Sequence, residues 1–315
     1  MNTRSSVLDL IGNTPLVALR ATETGQARAL FAKLEKMNPM GSVKDRTALA
    51  MIEDAEERGL LRPDTVIVEP TSGNTGLALA MVCAVKGYRL ILTMPDTMSV
   101  ERRDMLMALG SELVLTPGSE GMTGAIREAD RIAERQTDTF TPCQFDNPAN
   151  PRIHETTTGP EIWADTDGAV DCVVAGIGTG GTATGIAQFL KTKKPEARVI
   201  GVEPARSPFL TEGRAGKHKI QGIGAGFRPS ILELDLLSEV ILIEDAEAVR
   251  WMRHLAQAEG IFSGISSGAA LAAAVQVAAR PDAEGATIVV ILPDGGEKYL
   301  STHLWETSHV EPASP

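Results

Sequence analysis

The sequence TVIVEPTSGNTGLALAMVCAVKG, from Thr65 to Gly87, gives the clearest indication of the fold class. It begins with a short apolar run, TVIVEP, passes through the glycine-rich turn TSGNTG, and continues into an apolar segment long enough for a helix. A strand that is apolar throughout, rather than at alternate positions, is typical of a parallel sheet covered on both faces. The stretch therefore predicts one strand–turn–helix unit of a parallel α/β sheet.

The same pattern recurs along the chain. Further apolar runs read RLILTMP, ELVLTP, VDCVVAGI, ARVIGVEP, SEVILIED and TIVVILPD, and helical patterns such as GMTGAIREADRIAERQ separate most of them. The Pro- and Asn-rich stretch QFDNPANPRIHETTTGPEIW interrupts the series and indicates a domain boundary near Asn147. We predict an α/β fold of two open, mainly parallel αβα domains with a ligand cleft between them.

The composition restricts the class of partner. The chain has 315 residues, of which 43% are hydrophobic, and can bury a substantial core. Its formal net charge of −11 argues against a nucleic acid or an anionic membrane, because both require a basic face. The N-terminal stretch lacks the apolar core of a signal peptide, and no apolar run is long enough to span a bilayer. We predict a cytoplasmic protein that acts on a small metabolite.

The cysteines and histidines form no recognisable ligand set. Cys83, Cys143 and Cys172 are too widely spaced for a CxxC pair, which indicates a reducing compartment. Cys83 and Cys172 lie in apolar patterns and are expected in the core. For Cys143 we expect a buried, inert thiol, with a position near a binding site as the alternative. The five histidines show no H-x-x-x-H pair, so we predict no metal site.

A second glycine-rich turn, GIGTGGTATG, supports two interpretations. Gly176, Gly178 and Gly181 fit G-x-G-x-x-G, and Glu203 ends the next strand, as in a dinucleotide-binding site. The threonine hydroxyls of the same turn are equally suited to a single phosphate group. The turn therefore predicts phosphate binding, without identifying the cofactor.

Two other glycine-containing turns lead into predicted helices. Both TSGNTG and GISSGAALAAA, which contains Ser266 and Ser267, place hydroxyl groups at a helix N-terminus. Such a turn is a ready anion site, but simple helix capping explains the same residues.

A lysine occupies an unfavourable position in NPMGSVKDRTALAMIEDAEERG. Lys44 begins the predicted helix, where the helix dipole disfavours a positive charge. An ion pair of a surface lysine with Asp45 is one explanation. The other is that Lys44 forms a Schiff base with pyridoxal 5′-phosphate, because the turns supply an anion site and a phosphate site.

Blocks spread over nearly the whole chain resemble one family. IGNTPLVAL, NPMGSVKDR, EPTSGNTGLALA, MPDTMSVERR, NPANPRIH, TTGPEIW, GIGTGGT, HKIQGIGAGF, GISSGAA and GEKYLST are similar to the motifs of the cysteine synthases (O-acetylserine sulfhydrylases), and most similar to the A-type. The resemblance implies the fold type II of pyridoxal-phosphate enzymes. It also implies a smaller, mobile substrate-binding domain of residues 1–12 and 36–147, and a larger phosphate-binding domain of residues 13–35 and 148–315.

The resemblance further implies roles for individual residues. Lys44 would form the Schiff base with the cofactor and remove the substrate α-proton, Asn74 would bind the ring oxygen, and Ser266 would face the pyridine nitrogen. The remaining implied contacts are those to the cofactor phosphate, from Gly178, Thr179, Gly180, Gly181 and Thr182, and those to the substrate carboxylate, from Thr71, Ser72, Gly73, Thr75 and Gln144.

The implied activity is the last step of cysteine biosynthesis. A pyridoxal-phosphate-dependent β-replacement would convert O-acetyl-L-serine and sulfide to L-cysteine and acetate through an external aldimine and an α-aminoacrylate. A homodimer is implied, and so is a possible complex with the C-terminal tail of serine acetyltransferase. Arg228, after the GIGAGF turn, is interpreted as a solvated loop residue, although it keeps O-phosphoserine open as the donor. An NAD-dependent oxidoreductase and a binding protein without turnover are the alternative functions.

Overall fold

The computed structural model describes residues 3–20, 25–71 and 73–305. Strands and helices alternate along most of this part of the chain, as the apolar runs predict. The helices are α1 (Lys44–Glu57), α2 (Asn74–Lys86), α3 (Val100–Ala108), α4 (Gly121–Arg135), α5 (Ala149–Ile153), α6 (Gly159–Asp165), α7 (Gly181–Lys193), α8 (Phe209–Glu212), α9 (Asp245–Ala258) and α10 (Ile265–Ala278). The strands are β1 (Leu16–Ala18), β2 (Ala29–Leu34), β3 (Val66–Pro70), β4 (Arg89–Pro95), β5 (Glu112–Thr116), β6 (Thr139–Phe140), β7 (Val170–Gly176), β8 (Arg198–Pro204), β9 (Glu239–Ile243) and β10 (Thr287–Leu292).

The strands form two separate sheets. The larger sheet has the order β1-β2-β10-β7-β8-β9, and the smaller has the order β5-β4-β3-β6. Every pairing is parallel except that of β1 with β2. The predicted α/β class with two mainly parallel sheets is therefore confirmed, whereas the residue bounds of the two domains stay a prediction.

Strand β10 shows why its sequence has no polar alternation. Ile288, Val290 and Leu292 pack into a core that contains α9 and α10, whereas Val289 and Ile291 pack into a second core with α7. Each fully buried side chain of this size stabilises the fold by about 1.5–3 kcal/mol. A polar residue on either face would therefore be buried without a partner, which explains the continuous apolar run.

The turns at the carboxyl ends of β3, β7 and β10 position the site. A short turn connects β3 to α2, and the glycine turn connects β7 to α7. After β10, the chain continues to a 3₁₀ helix at Gly296–Thr302. Ligands bind at this edge in open parallel sheets. Within the described residues, no helix is long and apolar enough to cross a membrane.

Candidate active site

A cavity of about 240 Å³ lies between the two sheets. Most of the side chains that the sequence predicts for the site meet there, although they come from segments as far apart in the chain as those of Lys44 and Ser266. The predicted residues that line it are Lys44, Thr71, Gly73, Asn74, Thr75, Gln144, Gly178, Thr179, Gly180, Thr182 and Ser266. Of the other two predicted residues, Gly181 is the first residue of α7 and packs against the Asn150 side chain rather than lining the cavity. Ser72 lies outside the described residues.

Lys44 is the first residue of α1 and lines the cavity, half-buried. Burial lowers the pKa of its ammonium group, and the attraction of Asp294 and Glu35 opposes this effect. Desolvation and the helix dipole both disfavour the charged form, so the position suits an amine that reacts as the neutral base. The neighbouring Asp45 instead accepts hydrogen bonds from the Met40 amide at 2.6 Å and the Ser42 hydroxyl at 3.3 Å.

The turn between β7 and α7 is built from glycines because its surroundings leave no room for side chains. A Cβ at Gly178 would lie 2.4 Å from the Gly222 carbonyl oxygen, and one at Gly181 would lie 2.1 Å from Asn150 Oδ1. Gly180 has a φ of 84°, which favours glycine. The close packing brings the N-terminus of α7, with its unpaired amide groups, to the cavity wall, where an anion is stabilised.

The turn between β3 and α2 presents hydroxyl groups and the helix N-terminus on another wall. The Thr75 hydroxyl donates a hydrogen bond to Gln144 Oε1 at 2.7 Å, and the Gly73 amide donates to Thr71 Oγ1 at 3.4 Å. Because α2 begins at Asn74, its first amide groups are available near this turn. The arrangement suits a carboxylate ligand.

Asn150 and Asp294 are buried polar residues at the site that the sequence analysis did not select. The Asn150 amide donates to the Gln144 carbonyl at 2.9 Å and to Thr179 Oγ1 at 3.0 Å, and so connects the segment of Gln144 to the turn between β7 and α7. Asp294 follows β10, lines the cavity, and accepts a hydrogen bond from Asn74 Nδ2 at 2.7 Å. An acidic residue at the carboxyl end of an apolar strand was the available signal for Asp294.

A buried ion-pair network fixes the start of α1. The Arg46 guanidinium binds both carboxylate oxygens of Glu35, at 2.8 and 2.9 Å, and both of Glu161, at 2.6 and 2.7 Å. These contacts hold the pKa of the Glu161 carboxyl at about 2, and burial lowers the pKa of the neighbouring His154 to about 3. Arg46 therefore connects the helix of Lys44 to the 3₁₀ helix that follows β2 (Glu35–Met37) and to α6.

The structure decides several of the expectations about single residues. Cys83 and Cys172 are buried as expected, but Cys143 is exposed, so the expectation of a buried thiol is wrong. Cys143 lies in a tight turn with a φ of 52°, and its side chain is exposed.

Arg228 is exposed and is absent from the cavity wall. Within the described ranges, no three potential ligand residues cluster as a metal site would require.

Glu203 is not available for a ribose, as the dinucleotide interpretation requires. Its carboxylate is buried and accepts hydrogen bonds from the Leu210 and Thr211 amides, both at 3.0 Å, and from the Thr211 hydroxyl at 2.7 Å. It therefore caps the N-terminus of α8, and the G-x-G-x-x-G pattern lacks its acidic partner.

The residues present fit pyridoxal 5′-phosphate. This cofactor requires an amine for its aldehyde, a site for its phosphate dianion, and polar neighbours for its ring oxygen and ring nitrogen. The cavity brings together Lys44, the N-terminus of α7, the Asn74 amide and the buried Ser266 hydroxyl. Fold and site thus define an enzyme of the pyridoxal-phosphate-dependent class.

Comparison with known proteins agrees with this class. Residues 7–294 match the family model described as pyridoxal-phosphate dependent enzyme, and the chain belongs to that family. It is 50% identical over 301 residues to a cysteine synthase of Staphylococcus aureus, covering 95% of this chain and 96% of that protein. The crystal structure of a cysteine synthase from Entamoeba histolytica matches with a TM-score of 0.95 and 44% identity, over 99% of this chain and 93% of that one. The structure of an O-ureido-L-serine synthase matches with a TM-score of 0.93 and 44% identity, over 99% and 98%.

Proposed function

We propose that the chain is a cysteine synthase, a transferase that converts O-acetyl-L-serine and sulfide to L-cysteine and acetate. One observation carries the proposal: a single cavity combines an amine of lowered pKa, a helix N-terminus suited to a phosphate and a second turn suited to a carboxylate. The cysteine synthases of Staphylococcus aureus and Entamoeba histolytica, similar over nearly the whole chain, support the choice of substrates.

Four groups of this chain would hold the cofactor. Lys44 Nζ would bind its aldehyde covalently, Asn74 would bind the ring oxygen, and Ser266 would face the ring nitrogen. When bound, the cofactor withdraws electrons from the substrate α-carbon. The phosphate would bind to the turn at the N-terminus of α7, formed by Gly178, Thr179, Gly180, Gly181 and Thr182.

Ser266 is suited to β-replacement. It is the second residue of α10, is buried, and lines the cavity. A neutral hydroxyl group, unlike a carboxylate, does not hold a proton on a ring nitrogen, so the electron withdrawal is weaker. Loss of acetate from the substrate β-carbon then competes well with transamination.

The substrate carboxylate would bind at the N-terminus of α2. Its ligands would be Thr71, Ser72, Gly73, Thr75 and Gln144. The hydrogen bond between the Thr75 hydroxyl and Gln144 Oε1 already orders two of these side chains before a ligand arrives. Lys44 Nζ, once released from the cofactor, would take the substrate α-proton, for which its lowered pKa is favourable. Acetate then leaves the β-carbon and sulfide takes its place.

The experiment compares the wild type with Lys44→Ala and a matched control, Lys217→Ala, in which an exposed lysine is replaced. We expect the wild type and the control to be yellow with pyridoxal phosphate, to lose the visible band on borohydride reduction, and to form cysteine from O-acetylserine and sulfide. Lys44→Ala should show no visible band and form no cysteine. A wild type that stays colourless with added cofactor would refute the proposal.

Steady-state kinetics would determine the donor. Arg228 is exposed, and among the described residues of the cavity wall Lys44 is the only cation, so no added positive charge is available there for O-phosphoserine. We therefore expect a higher kcat/KM with O-acetylserine, and a clear preference for O-phosphoserine would overturn the substrate assignment. A cofactor-loaded protein that forms no cysteine would favour a binding protein without turnover, and NADH binding would revive the oxidoreductase.

The proposal extends to assembly and location. We propose a homodimer, which sedimentation would test. We also propose a complex with the C-terminal tail of serine acetyltransferase, and we expect a peptide of that tail to compete with O-acetylserine for the cavity. The three cysteines form no disulfide, which supports a reducing compartment such as the cytoplasm.

A further inference from the structure

The segment after β10 lies between two of the turns that form the site. On one side, the Val43 amide donates to the Pro293 carbonyl at 2.8 Å, and Ser42 forms a bridge with Asp294. On the other side, the Gly264 amide, one residue before α10, donates to the Asp294 carbonyl at 3.1 Å. The backbone of Asp294 is thus fixed both to the turn of Lys44 and to the turn that leads to Ser266.

The Asp294 side chain is buried, with 1% of its surface exposed. One carboxylate oxygen, Oδ2, accepts hydrogen bonds from Asn74 Nδ2 at 2.7 Å and from the Tyr299 hydroxyl. The other, Oδ1, is buried without a hydrogen-bond partner among the described residues. Burying a carboxylate oxygen without a hydrogen-bond partner costs free energy, so the presence of Asp294 at the cavity wall requires an explanation.

Lys298 contacts the opposite end of the Asn74 amide. Its ammonium group donates to Asn74 Oδ1 at 2.9 Å and to the carbonyl oxygens of Met40 and Gly41, at 2.7 and 3.2 Å. An ammonium group can only donate hydrogen bonds, and a carboxylate can only accept them. The two charged partners therefore allow one orientation of the Asn74 amide, with oxygen toward Lys298 and nitrogen toward Asp294.

The charged groups around the cavity act on the pKa of the Asp294 carboxyl. Of the described residues that line the cavity, Lys44 and Asp294 are the ionisable ones. Burial raises the pKa of the Asp294 carboxyl, whereas Tyr299, Lys298, Asn74 and Lys44 lower it. Burial is the largest of these effects, so the pKa of the Asp294 carboxyl lies above its ordinary value. Oδ2 accepts the hydrogen bond from Asn74 whether or not Oδ1 carries a proton.

We propose that Asp294 is a positioning residue, whose carboxylate orients the Asn74 amide toward the cofactor ring. The inference rests on the proposed function only in taking Asn74 as a cofactor contact. Lys298 is the second half of the same device. Neither side chain needs to touch the reacting atoms, since each acts through the Asn74 amide.

Two substitutions at Asp294 separate geometry from charge. Asp294→Asn keeps an acceptor oxygen for Asn74 and Tyr299, and its NH₂ group takes the place of the unpartnered Oδ1. Asp294→Ala removes the acceptor. Lys298→Met removes the donor on the other side of Asn74, and Asp282→Ala, at an aspartate whose side chain is 59% exposed, serves as the matched control.

The readout is the titration of the cofactor-free protein with pyridoxal phosphate, followed by the intensity and position of the visible band. We expect Asp294→Ala and Lys298→Met to raise the Kd by about tenfold and to shift the band, as the loss of a hydrogen bond to a charged group implies. Asp294→Asn and Asp282→Ala should stay within about threefold of the wild type.

Two results would overturn the inference. One is wild-type affinity and an unchanged band in Asp294→Ala, with the fold verified by circular dichroism. The other is an equal defect in Asp294→Asn and Asp294→Ala, which would assign the effect to charge. Cofactor binding does not depend on the identity of the donor, so failure to form cysteine would refute the proposed function and leave these outcomes unaffected.

Discussion

Replacement of Glu69 by glutamine should alter the pH dependence of stability. Glu69 lies near the end of β3, and only 2% of its surface is exposed. Its carboxylate accepts hydrogen bonds from the backbone amides of Cys143, at 3.2 Å, and Gln144. These amides do not compensate for desolvation, and burial raises the pKa of the Glu69 carboxyl from 4.5 to about 7.

The magnitude follows from the two pKa values. Between 4.5 and about 7, the folded protein keeps a proton on Glu69 that the unfolded chain releases, so its stability falls as the pH rises through this window. At about 1.4 kcal/mol for each pH unit, the loss from this one group amounts to about 3 kcal/mol, and it is complete above pH 8.

The assay is urea unfolding at pH 5 and pH 8 for the wild type, Glu69→Gln and a control, Glu57→Gln, at a glutamate whose side chain is 73% exposed. The glutamine loses part of the hydrogen bonding at both pH values, so the informative quantity is the change between them. On going from pH 5 to pH 8, we expect Glu69→Gln to gain about 2.5 kcal/mol relative to the wild type, because part of the loss has already occurred at pH 5, and the control to gain nothing. If Glu69→Gln follows the wild type within about 0.5 kcal/mol, Glu69 is ionised in the native state and the reasoning is wrong.

Three further predictions concern the ion pairs, the glycine turn and the cysteines. Arg46→Met should lower the free energy of unfolding by about 3–5 kcal/mol, because it leaves Glu35 buried without its cation. Glu35→Gln added to that variant should restore part of the loss, as urea midpoints would show. Gly181→Ala should weaken the binding of pyridoxal phosphate in a titration, because the added Cβ would lie 2.1 Å from Asn150 Oδ1 and displace that side chain. The same substitution should cost about 1–3 kcal/mol of stability. A thiol reagent should modify Cys143 alone in the native protein and all three cysteines in urea, since the other two are buried.

Local patterns predicted seven of the ten described strands and the turns that form much of the cavity wall, because both depend on short-range rules. All seven quoted apolar runs form strands, and the interior strands among them, such as β10, are covered on both faces. Parallel strands bring their carboxyl ends to one edge, so turns far apart in the chain meet there. Lys44 was recognisable for the opposite reason, because its charge conflicts with the helix N-terminus at which it lies.

The residues that the sequence did not reveal act through contacts over long separations. Arg46 reaches Glu161 across 115 positions, and Asp294 reaches Asn74 across 220. No periodicity or spacing rule relates such pairs, and a buried charge is indistinguishable from a solvated one until its neighbours are known. Cys143 was predicted wrongly for a related reason, because its exposure depends on a tight turn with a φ of 52°.

The glycine turn shows most clearly what a motif leaves undetermined. Gly176, Gly178 and Gly181 fit a dinucleotide fingerprint as well as a single-phosphate turn, because both uses require the same close approach of the backbone. The difference lies in the use of Glu203, whose carboxylate is fully engaged with the amides of α8. Without a free acid for the ribose, the turn retains the amides that suit a single phosphate, and the proposed role of Lys44 fits a cofactor that combines a phosphate with an aldehyde. The chemistry of the site is therefore determined by the combination of turns in one cavity.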